Sequence, residues 1–233
     1  MKHIALLVAL VLGGCGYEGI TGSGNLVTKE IPVSEFQKIE AGGAFKIDVT
    51  QGDKTSVTVT ADDNIWEHLK VESSDGTLHL ETKPGSYNNV HLEAKIVTPK
   101  LEQVELSGAS HGTLHGIDQK TNPFKLSLSG ASHAEGDIKA GELTLDESGA
   151  SHASLTGSAD VVRVEASGAS RAELEKLTAN SAHANASGAS HIQVNASKDL
   201  DYDLSGASHL SYAGAPRIDR AQTSGASDAG PVK

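Results

Sequence analysis

Histidine recurs at a fixed place in the second half of the chain, directly after the tetrapeptide Ser-Gly-Ala-Ser. Imidazole is the side chain that changes charge near neutral pH, and its neutral form is a common metal ligand. Two such rings that lean together could bind zinc at Zn–N distances of about 2.0–2.1 Å. The residues that follow the seven tetrapeptides are, in order, His111, His133, His152, Arg171, His191, His209 and Asp228.

Two functions are open to this column of residues. The first is zinc binding, with the Glu135 carboxylate as a further oxygen ligand and with metal ligands from His111, His133 and His152. No closed four-ligand cage is encoded, because Arg171 and Asp228 interrupt the histidines. The second is a binding surface for a polysaccharide or a protein that uses no cofactor and includes the whole column through His191 and His209.

Catalysis is the least favoured use of these repeated serines and histidines. A nucleophile needs its base within about 2.6–3.2 Å and a third group that orients the base. Enzymes place such a set once, whereas this chain repeats it, and no Gly-x-Ser-x-Gly elbow or dinucleotide fingerprint is present. A polysaccharide lyase would need a basic cluster, and the second half has few Lys or Arg residues. We therefore predict that the protein is not an enzyme.

The tetrapeptide repeat determines the fold that must position these side chains. Its seven copies start at residues 107, 129, 148, 167, 187, 205 and 224, so the intervals are 22, 19, 19, 20, 18 and 19 residues. Apolar residues alternate with polar ones on both sides of each copy, which indicates strands with one buried side. A repeat of about 19 residues is too short for a helical solenoid and cannot bury its apolar face alone. The sequence predicts a right-handed parallel β-helix with one repeat per turn.

Each tetrapeptide is predicted to form a corner of this β-helix. Glycine permits a bend that other residues resist, and stacked serine hydroxyls could bond to one another along the column. If the apolar residues after the corner point inward, parity places the histidine column outside. Rungs about 4.8 Å apart would then stack His111, His133 and His152 as an exposed ladder.

The first half of the chain, before residue 106, does not contain the tetrapeptide repeat. Alternating apolar residues at 45–49, 57–59, 78–80 and 91–97 predict strands, and residues 51–53 and 74–76 have turn chemistry. Residues 62–64 before Trp66 suggest a short helix with a side-chain cap, and Trp66 is expected in the core. Because an open solenoid end exposes unpaired edges, we expect residues 31–105 to form a β-rich cap and the first turns, and residues 106–233 to form the repeat β-helix.

The N-terminus predicts export and lipidation. Residues 4–12 form an apolar run after a basic start, which is too short to span a bilayer but typical of a secretory signal. Residues 12–15 read Leu-Gly-Gly-Cys, the pattern of a lipoprotein cleavage site, so residues 1–14 would be removed and Cys15 lipidated. Cys15 is the only cysteine, so no intramolecular disulfide can form. Gly16 follows it instead of aspartate, which favours the outer membrane over the inner one, and residues 15–30 would be the lipidated N-terminus and a linker.

Composition narrows the choice of partners. The predicted mature chain carries 18 Lys and Arg against 30 Asp and Glu residues. Such an acidic chain repels nucleic acid, so the membrane, through Cys15, and a surface polysaccharide or protein are the expected partners. One Trp, four Tyr and three Phe leave little material for an aromatic sugar-binding groove. The ligand itself and the oligomeric state stay open.

Several segments resemble a known family of envelope proteins. They are residues 39–47 (Ile-Glu-Ala-Gly-Gly-Ala-Phe-Lys-Ile), 49–53 (Val-Thr-Gln-Gly-Asp), 74–78 (Ser-Asp-Gly-Thr-Leu), 97–101 (Val-Thr-Pro-Lys-Leu) and 106–110 (Leu-Ser-Gly-Ala-Ser). Together they resemble the putative auto-transporter adhesin, head GIN domain family. The resemblance implies a β-helical envelope protein, often lipid-anchored, with an adhesin-like role and no catalytic residues. The strict Ser-Gly-Ala-Ser-His repeat departs from what the family alone would explain.

Overall fold

A computed structural model describes residues 19–232, and within them the chain is almost entirely β-structure with one 3₁₀ helix at Asp63–His68. Cys15 and the predicted signal segment lie outside the described residues. The strands are β1 (Ile20–Thr21), β2 (Leu26–Glu30), β3 (Lys38–Ala41), β4 (Lys46–Gln51), β5 (Ser56–Asp62), β6 (Leu69–Ser74), β7 (Thr77–Thr82), β8 (Tyr87–Asn88), β9 (Leu92–Thr98), β10 (Gln103–Leu106), β11 (His111–Asp118), β12 (Pro123–Leu128), β13 (His133–Glu147), β14 (His152–Ala166), β15 (Arg171–Ala186), β16 (His191–Leu204), β17 (His209–Ala213), β18 (Arg217–Thr223) and β19 (Asp228–Pro231).

The predicted β-solenoid is confirmed. From β10 to β19 every strand pairing is parallel, and each strand pairs with the equivalent strand of the next turn. Inward-facing residues stack in apolar columns, such as Phe124, Leu143, Val162, Ala182 and Leu200, all buried. One apolar core therefore runs along the whole stack, because no single turn could bury its own apolar face.

The tetrapeptide forms the corner between two successive strands, as predicted. All seven of its glycines have positive φ, between 70° and 79°. At each corner the following alanine N–H donates to the glycine carbonyl one rung below, for example Ala150 to Gly130 at 2.7 Å. A Cβ on Gly149 would lie 2.5 Å from that same Gly130 oxygen. Glycine is required here both by its backbone angle and by the close approach of the neighbouring rung.

The second serine of the first six tetrapeptides points into the core, whereas Ser227 of the last copy is partly exposed. Ser110, Ser132, Ser151, Ser170, Ser190 and Ser208 are each no more than 2% exposed. The prediction that these hydroxyls bond to one another is wrong for most of the column, and only Ser208 and Ser227 approach each other, at 3.3 Å. Ser132 and Ser208 donate instead to backbone carbonyls, because the tight corner brings carbonyl oxygens closer than the next hydroxyl.

Antiparallel strands cover the N-terminal end of the stack. The first turn is formed by β3 and β4, which pair in parallel with β10 and β11 on one side. On the other side β3 and β4 pair with β7 and β9. These two covering strands continue into antiparallel partners, β6 beside β7 and β5 and β2 beside β9. Antiparallel pairing ends the parallel stack and leaves no open edge on the first turn.

The short helix is present, but its predicted cap is wrong. It is a 3₁₀ helix, and no side chain caps its N-terminus at Asp62. The Asp62 carboxylate instead accepts hydrogen bonds from the backbone N–H groups of Gly24 and His91, both at 2.7 Å. These bonds, above all the one from the His91 N–H, lower the pKa of Asp62. Trp66 packs half-buried against the core, with the Lys29 ammonium 4.1 Å from its ring centroid.

The two ends of the solenoid differ. Every residue of β18 is exposed, including Ile218 at 40%. Within residues 19–232 no strand covers the outer edge of β18 or β19. The charged side chains of Arg217, Asp219 and Arg220 lie on this last turn, and charges of this kind discourage edge-to-edge association.

Candidate functional site

The column that follows the corner is an outward-facing ladder, as parity predicted. We call it the histidine ladder. Each ladder residue is the register partner of the ladder residue in the next turn. The residues immediately before and after each ladder residue are more buried than the ladder residue itself. The ladder also extends one turn further than the repeat, because Lys46 of the first turn is the register partner of His111. Its members are Lys46, His111, His133, His152, Arg171, His191, His209 and Asp228.

Neighbouring imidazoles in the ladder are in contact. The His111 and His133 rings stack with centroids 4.6 Å apart and planes 14° apart. The His133 and His152 rings meet edge to face at 4.7 Å. After the Arg171 rung, His191 and His209 lie 6.0 Å apart. The rung spacing of the β-solenoid therefore sets the distances between the rings.

Carboxylates lie beside the ladder, two residues further along the same strands. Glu173 is shared by two rungs, since its carboxylate lies 3.4 Å from His152 Nε2 and 3.7 Å from Arg171 Nη1. Glu135 is exposed beside His133, as predicted. At the last rung Asp228 lies 2.9 Å from His209 Nδ1. Apart from Asp228, the ladder therefore consists of groups that are basic or can become basic, with carboxylates along one side.

Burial and like-charged neighbours act together on the middle of the ladder. The pKa of His133 is lowered, first by burial and then by the positive charge that His111 and His152 would carry. Glu135 and Glu173 act in the opposite direction but do not cancel these effects. At neutral pH the His133 ring is therefore uncharged, which is the form that can bind either a metal or a neutral ligand.

The ring geometry does not converge on a metal position. Lone pairs of imidazole lie in the ring plane, so the nearly parallel rings of His111 and His133 direct theirs side by side. Among residues 19–232 no group of three or more His, Cys, Asp or Glu side chains is placed to hold a metal ion. A zinc site at His111, His133 and His152 stays a prediction, and it would require at least one ring to rotate.

The repeated Ser-His pairs do not form nucleophile–base pairs. In each pair the serine is buried in the core while the following histidine faces outward, as at Ser132 and His133. Adjacent residues of a strand point to opposite sides, so the hydroxyl and the imidazole are separated by the backbone. The arrangement offers a charged, extended surface instead of a catalytic cleft.

A buried carboxylate was not foreseen from the sequence. Glu147 occupies a core column between Leu128 and Ala166 and is 3% exposed. Neither of its carboxylate oxygens has a hydrogen-bond partner, and burial raises the pKa of Glu147 to about 8. The period-two pattern already put this position inside, but the polar run Asp-Glu-Ser around it resembles an exposed turn. Glu147 is therefore a neutral acid at pH 7, and it lies before the corner, away from the ladder.

The strands before the corner carry a second surface feature. An open groove of about 860 Å³ runs along them, and besides the buried Glu147 it is lined by the carboxylates of Glu105, Asp146, Glu165 and Asp203. Arg220 also lines it, paired with Asp203 at 3.1 Å. The groove and the histidine ladder thus lie on different sides of the corner, and only the ladder carries a row of imidazoles.

Within residues 19–232, none of the helical structure is long or apolar enough to cross a bilayer.

Comparison with known proteins connects this architecture to a family. The putative auto-transporter adhesin, head GIN domain family matches residues 35–216. A search of curated proteins finds no match. Among solved structures, a putative adhesin from Bacteroides fragilis is 26% identical with a TM-score of 0.79, covering 92% of this chain and 100% of the other. A putative lipid binding protein from Parabacteroides distasonis is 22% identical with a TM-score of 0.74, covering 92% and 99%. A putative adhesin from the same species is 18% identical with a TM-score of 0.71, covering 91% and 99%.

Proposed function

The chain belongs to the family described as putative auto-transporter adhesin, head GIN domain, and from this membership we propose that it is a non-catalytic, adhesin-like binding protein of the cell envelope. Its ligand is a surface polysaccharide or protein. The observation that carries the proposal is the histidine ladder, because it places chemically similar groups on consecutive rungs along the length of the solenoid. An extended row of this kind fits an extended ligand better than a small substrate.

Attachment is the second part of the proposal. The Leu-Gly-Gly-Cys sequence at residues 12–15 would make Cys15 the lipidated N-terminus, which anchors the protein to a membrane, with the outer membrane as the favoured location. Multiple acyl chains hold a protein far more firmly than one chain does. Replacing Cys15 with serine should move the mature protein from the membrane fraction to the soluble fraction of the envelope. Retention of a mature-sized Cys15→Ser protein in membranes would contradict the lipid anchor.

Zinc binding at His111, His133 and His152 is the alternative function. Calorimetric titration of the mature chain with zinc at pH 7.5 tests it directly, with His133→Ala as the informative variant because His133 contacts both neighbouring rings. Zinc binding that is lost in His133→Ala would favour the metal-binding alternative. Absence of binding would favour the surface-binding function.

The surface-binding function is tested by cell adherence. A strain that lacks the gene is complemented with the wild-type protein or with a ladder variant, in which the six ladder residues His111, His133, His152, Arg171, His191 and His209 are changed to glutamine. The matched control changes Arg163 and His183 to glutamine, since these two side chains are register partners on the strands before the corner and reach the solvent. We expect the ladder variant alone to lose adherence. Equal adherence of all three strains would contradict the proposed function.

A further inference from the structure

The histidine ladder continues without interruption over seven consecutive rungs. Each rung from β4 to β17 carries a residue that is basic or can become basic, and the series ends at Asp228 of β19 on one side and at Glu93 of β9 on the other. This concentration occurs in a chain with 30 Asp and Glu against 19 Lys and Arg residues. Packing does not require basic residues here, because the ladder position is exposed and is occupied by Lys46 and Arg171 as well as by histidines. The row is therefore a feature of the surface and not of the core.

The spacing of the row suits a linear polymer. Rungs of a β-solenoid repeat every 4.8 Å or so, and the measured ring separations of 4.6 and 4.7 Å follow that repeat. A polymer with one negative group on each repeating unit could pair with the ladder rung by rung. Single exposed ion pairs contribute at most about 1 kcal/mol, but linked pairs act together through their effective concentration.

The sign of the charge on this face depends on pH. The charged groups that face the ladder from the packed strands are Lys46 and Asp48 of β4, Glu93 and Lys95 of β9, Glu135 of β13, Glu173 of β15, and Asp228 of β19, with Arg171 in the ladder itself. The titratable His91 lies 3.4 Å from Glu93. His115 also lies 3.3 Å from Asp48. With neutral histidines, five carboxylates outweigh three cations. Once the five ladder histidines are protonated, cations outnumber carboxylates, so the face changes from net negative to net positive.

We propose that the histidine ladder is a binding site for a linear anionic polysaccharide of the polyuronate type, which lies along the solenoid axis with its carboxylates facing the consecutive rungs of the ladder. This inference rests on the proposed surface-binding function and names its ligand class. A 1,4-linked uronic acid chain carries one carboxylate on every sugar ring, and a ring is similar in length to one rung. Carboxylates border the ladder on one side, and the corners border it on the other. The side chains of Ser-Gly-Ala at these corners are small, which leaves room for the sugar rings.

Nucleic acid fits this face less well, although it is also a linear polyanion. Single-stranded nucleic acid is held largely by bases that stack on aromatic side chains, and the ladder carries no Trp, Tyr or Phe residue. The large excess of acidic residues in the chain also opposes a polymer with closely spaced phosphates.

The test is the binding of the full mature chain to sodium polygalacturonate at pH 5.5 and pH 7.5, with EDTA present to remove metal bridges. We expect binding at pH 5.5 that weakens at least tenfold at pH 7.5 and with added salt. Dextran, which is uncharged, should not bind at either pH. Binding at pH 5.5 should be lost in the ladder variant and retained in the Arg163→Gln/His183→Gln control. Circular dichroism and melting temperature confirm that both variants are folded.

The possible failures can be told apart. If wild-type protein does not bind polygalacturonate at pH 5.5, the polyanion inference is wrong, and the adherence assay then decides separately whether the ladder binds another ligand. Equal binding by the ladder variant would place the polymer elsewhere and would also overturn the inference. Binding that requires zinc, lost with EDTA, would overturn it in favour of the metal alternative. Tighter binding of single-stranded DNA than of polygalacturonate would overturn the choice of polymer.

Discussion

The interior of the corner and the histidine ladder are adjacent in sequence but obey different rules. On the inside, serine occupies the position before the ladder on six successive rungs, and all six serines are buried. On the outside, the next residue varies between imidazole, guanidinium and carboxylate. The inside is uniform because backbone from the next rung leaves room for one small side chain. The outside is free of that constraint, so its preference for basic residues needs a reason other than packing.

The strongest test of this contrast is Gly149→Val, at the middle of the corner column. The added side chain would force a residue with Cβ into φ of +76° and would place that atom 2.5 Å from the Gly130 carbonyl oxygen. Positive φ alone costs about 1–3 kcal/mol, and the clash also displaces the hydrogen bond from Ala150 N–H. We expect a loss of about 4 kcal/mol in the free energy of unfolding, measured by chemical denaturation.

Two control glycines separate the contributions. Gly76 has φ of +74° with nothing near its missing Cβ, so Gly76→Val should cost only the backbone strain. Gly230 has neither a positive φ nor a close neighbour, so Gly230→Val should have little effect. Equal losses at Gly149 and Gly76 would show that the corner tolerates a side chain and that the close rung contact is unimportant.

The second test concerns Glu147, the buried acid on the inside of the solenoid. Its folded-state pKa of about 8 lies above the ordinary value of 4.5. The unfolded chain therefore releases this proton while the folded chain keeps it, so stability falls as pH rises from 4.5 to 8, by about 1.4 kcal/mol per pH unit. Glu147→Leu matches its register neighbour Leu128. It should stabilise the protein by about 3 kcal/mol at pH 7.

Glu147→Gln is the matched control because it keeps the shape and removes the titration. Unfolding free energies of the three proteins are compared from pH 4.5 to pH 8. Both variants should lack the downward slope of the wild type, and only leucine should gain stability at pH 4.5. A wild-type slope unchanged by either substitution would mean that Glu147 is ionised in the folded protein and that its burial has another explanation.

The third test is smaller and compares two serines of the same column. Ser151 is buried with no hydrogen-bond partner for its hydroxyl, whereas the Ser208 hydroxyl donates to the Ser205 carbonyl at 2.8 Å. Ser208→Ala should cost about 1 kcal/mol, and Ser151→Ala should be neutral or slightly stabilising. Thermal unfolding of both variants gives the comparison. A clear loss at Ser151 would show that its hydroxyl has a partner, such as a buried water.

These contrasts also indicate how far the sequence determines the structure. The repeat of Ser-Gly-Ala-Ser predicts the solenoid, the corner glycines and the outward ladder, because period and parity are geometric properties of strands. Lys46 could not be recognised as a ladder residue, since only Gly-Ala of the tetrapeptide survives at Gly43 and Ala44. The orientation of the imidazole rings and the partners of Asp62 depend on contacts between distant segments. The sequence periodicity predicts which side of the strand a residue faces, but it does not predict which residues that side chain will contact.

The smallest expected effect on stability is that of His133→Gln in the ladder. The lowered pKa of His133 means that the unfolded chain takes up a proton more readily than the folded chain. The free energy of unfolding is therefore highest above pH 6.5 and decreases as pH falls below that value. The effect of Glu147 has the opposite direction, because it decreases the free energy of unfolding as pH rises. Since the side chain is partly exposed, solvent limits the effect to below about 0.5 kcal/mol.

His133→Gln should accordingly have wild-type stability at pH 7.5 and a slight gain at pH 5.5, measured by denaturant unfolding at both values. His183→Gln is the control, because it makes the same substitution beside Asp201, whose carboxylate lies 3.1 Å from the His183 ring. A large loss of stability in His133→Gln at pH 7.5 would show that the stacked rings hold the turns together. The ladder would then share the structural role of the corner, and the argument that its basic residues serve a ligand would lose its foundation.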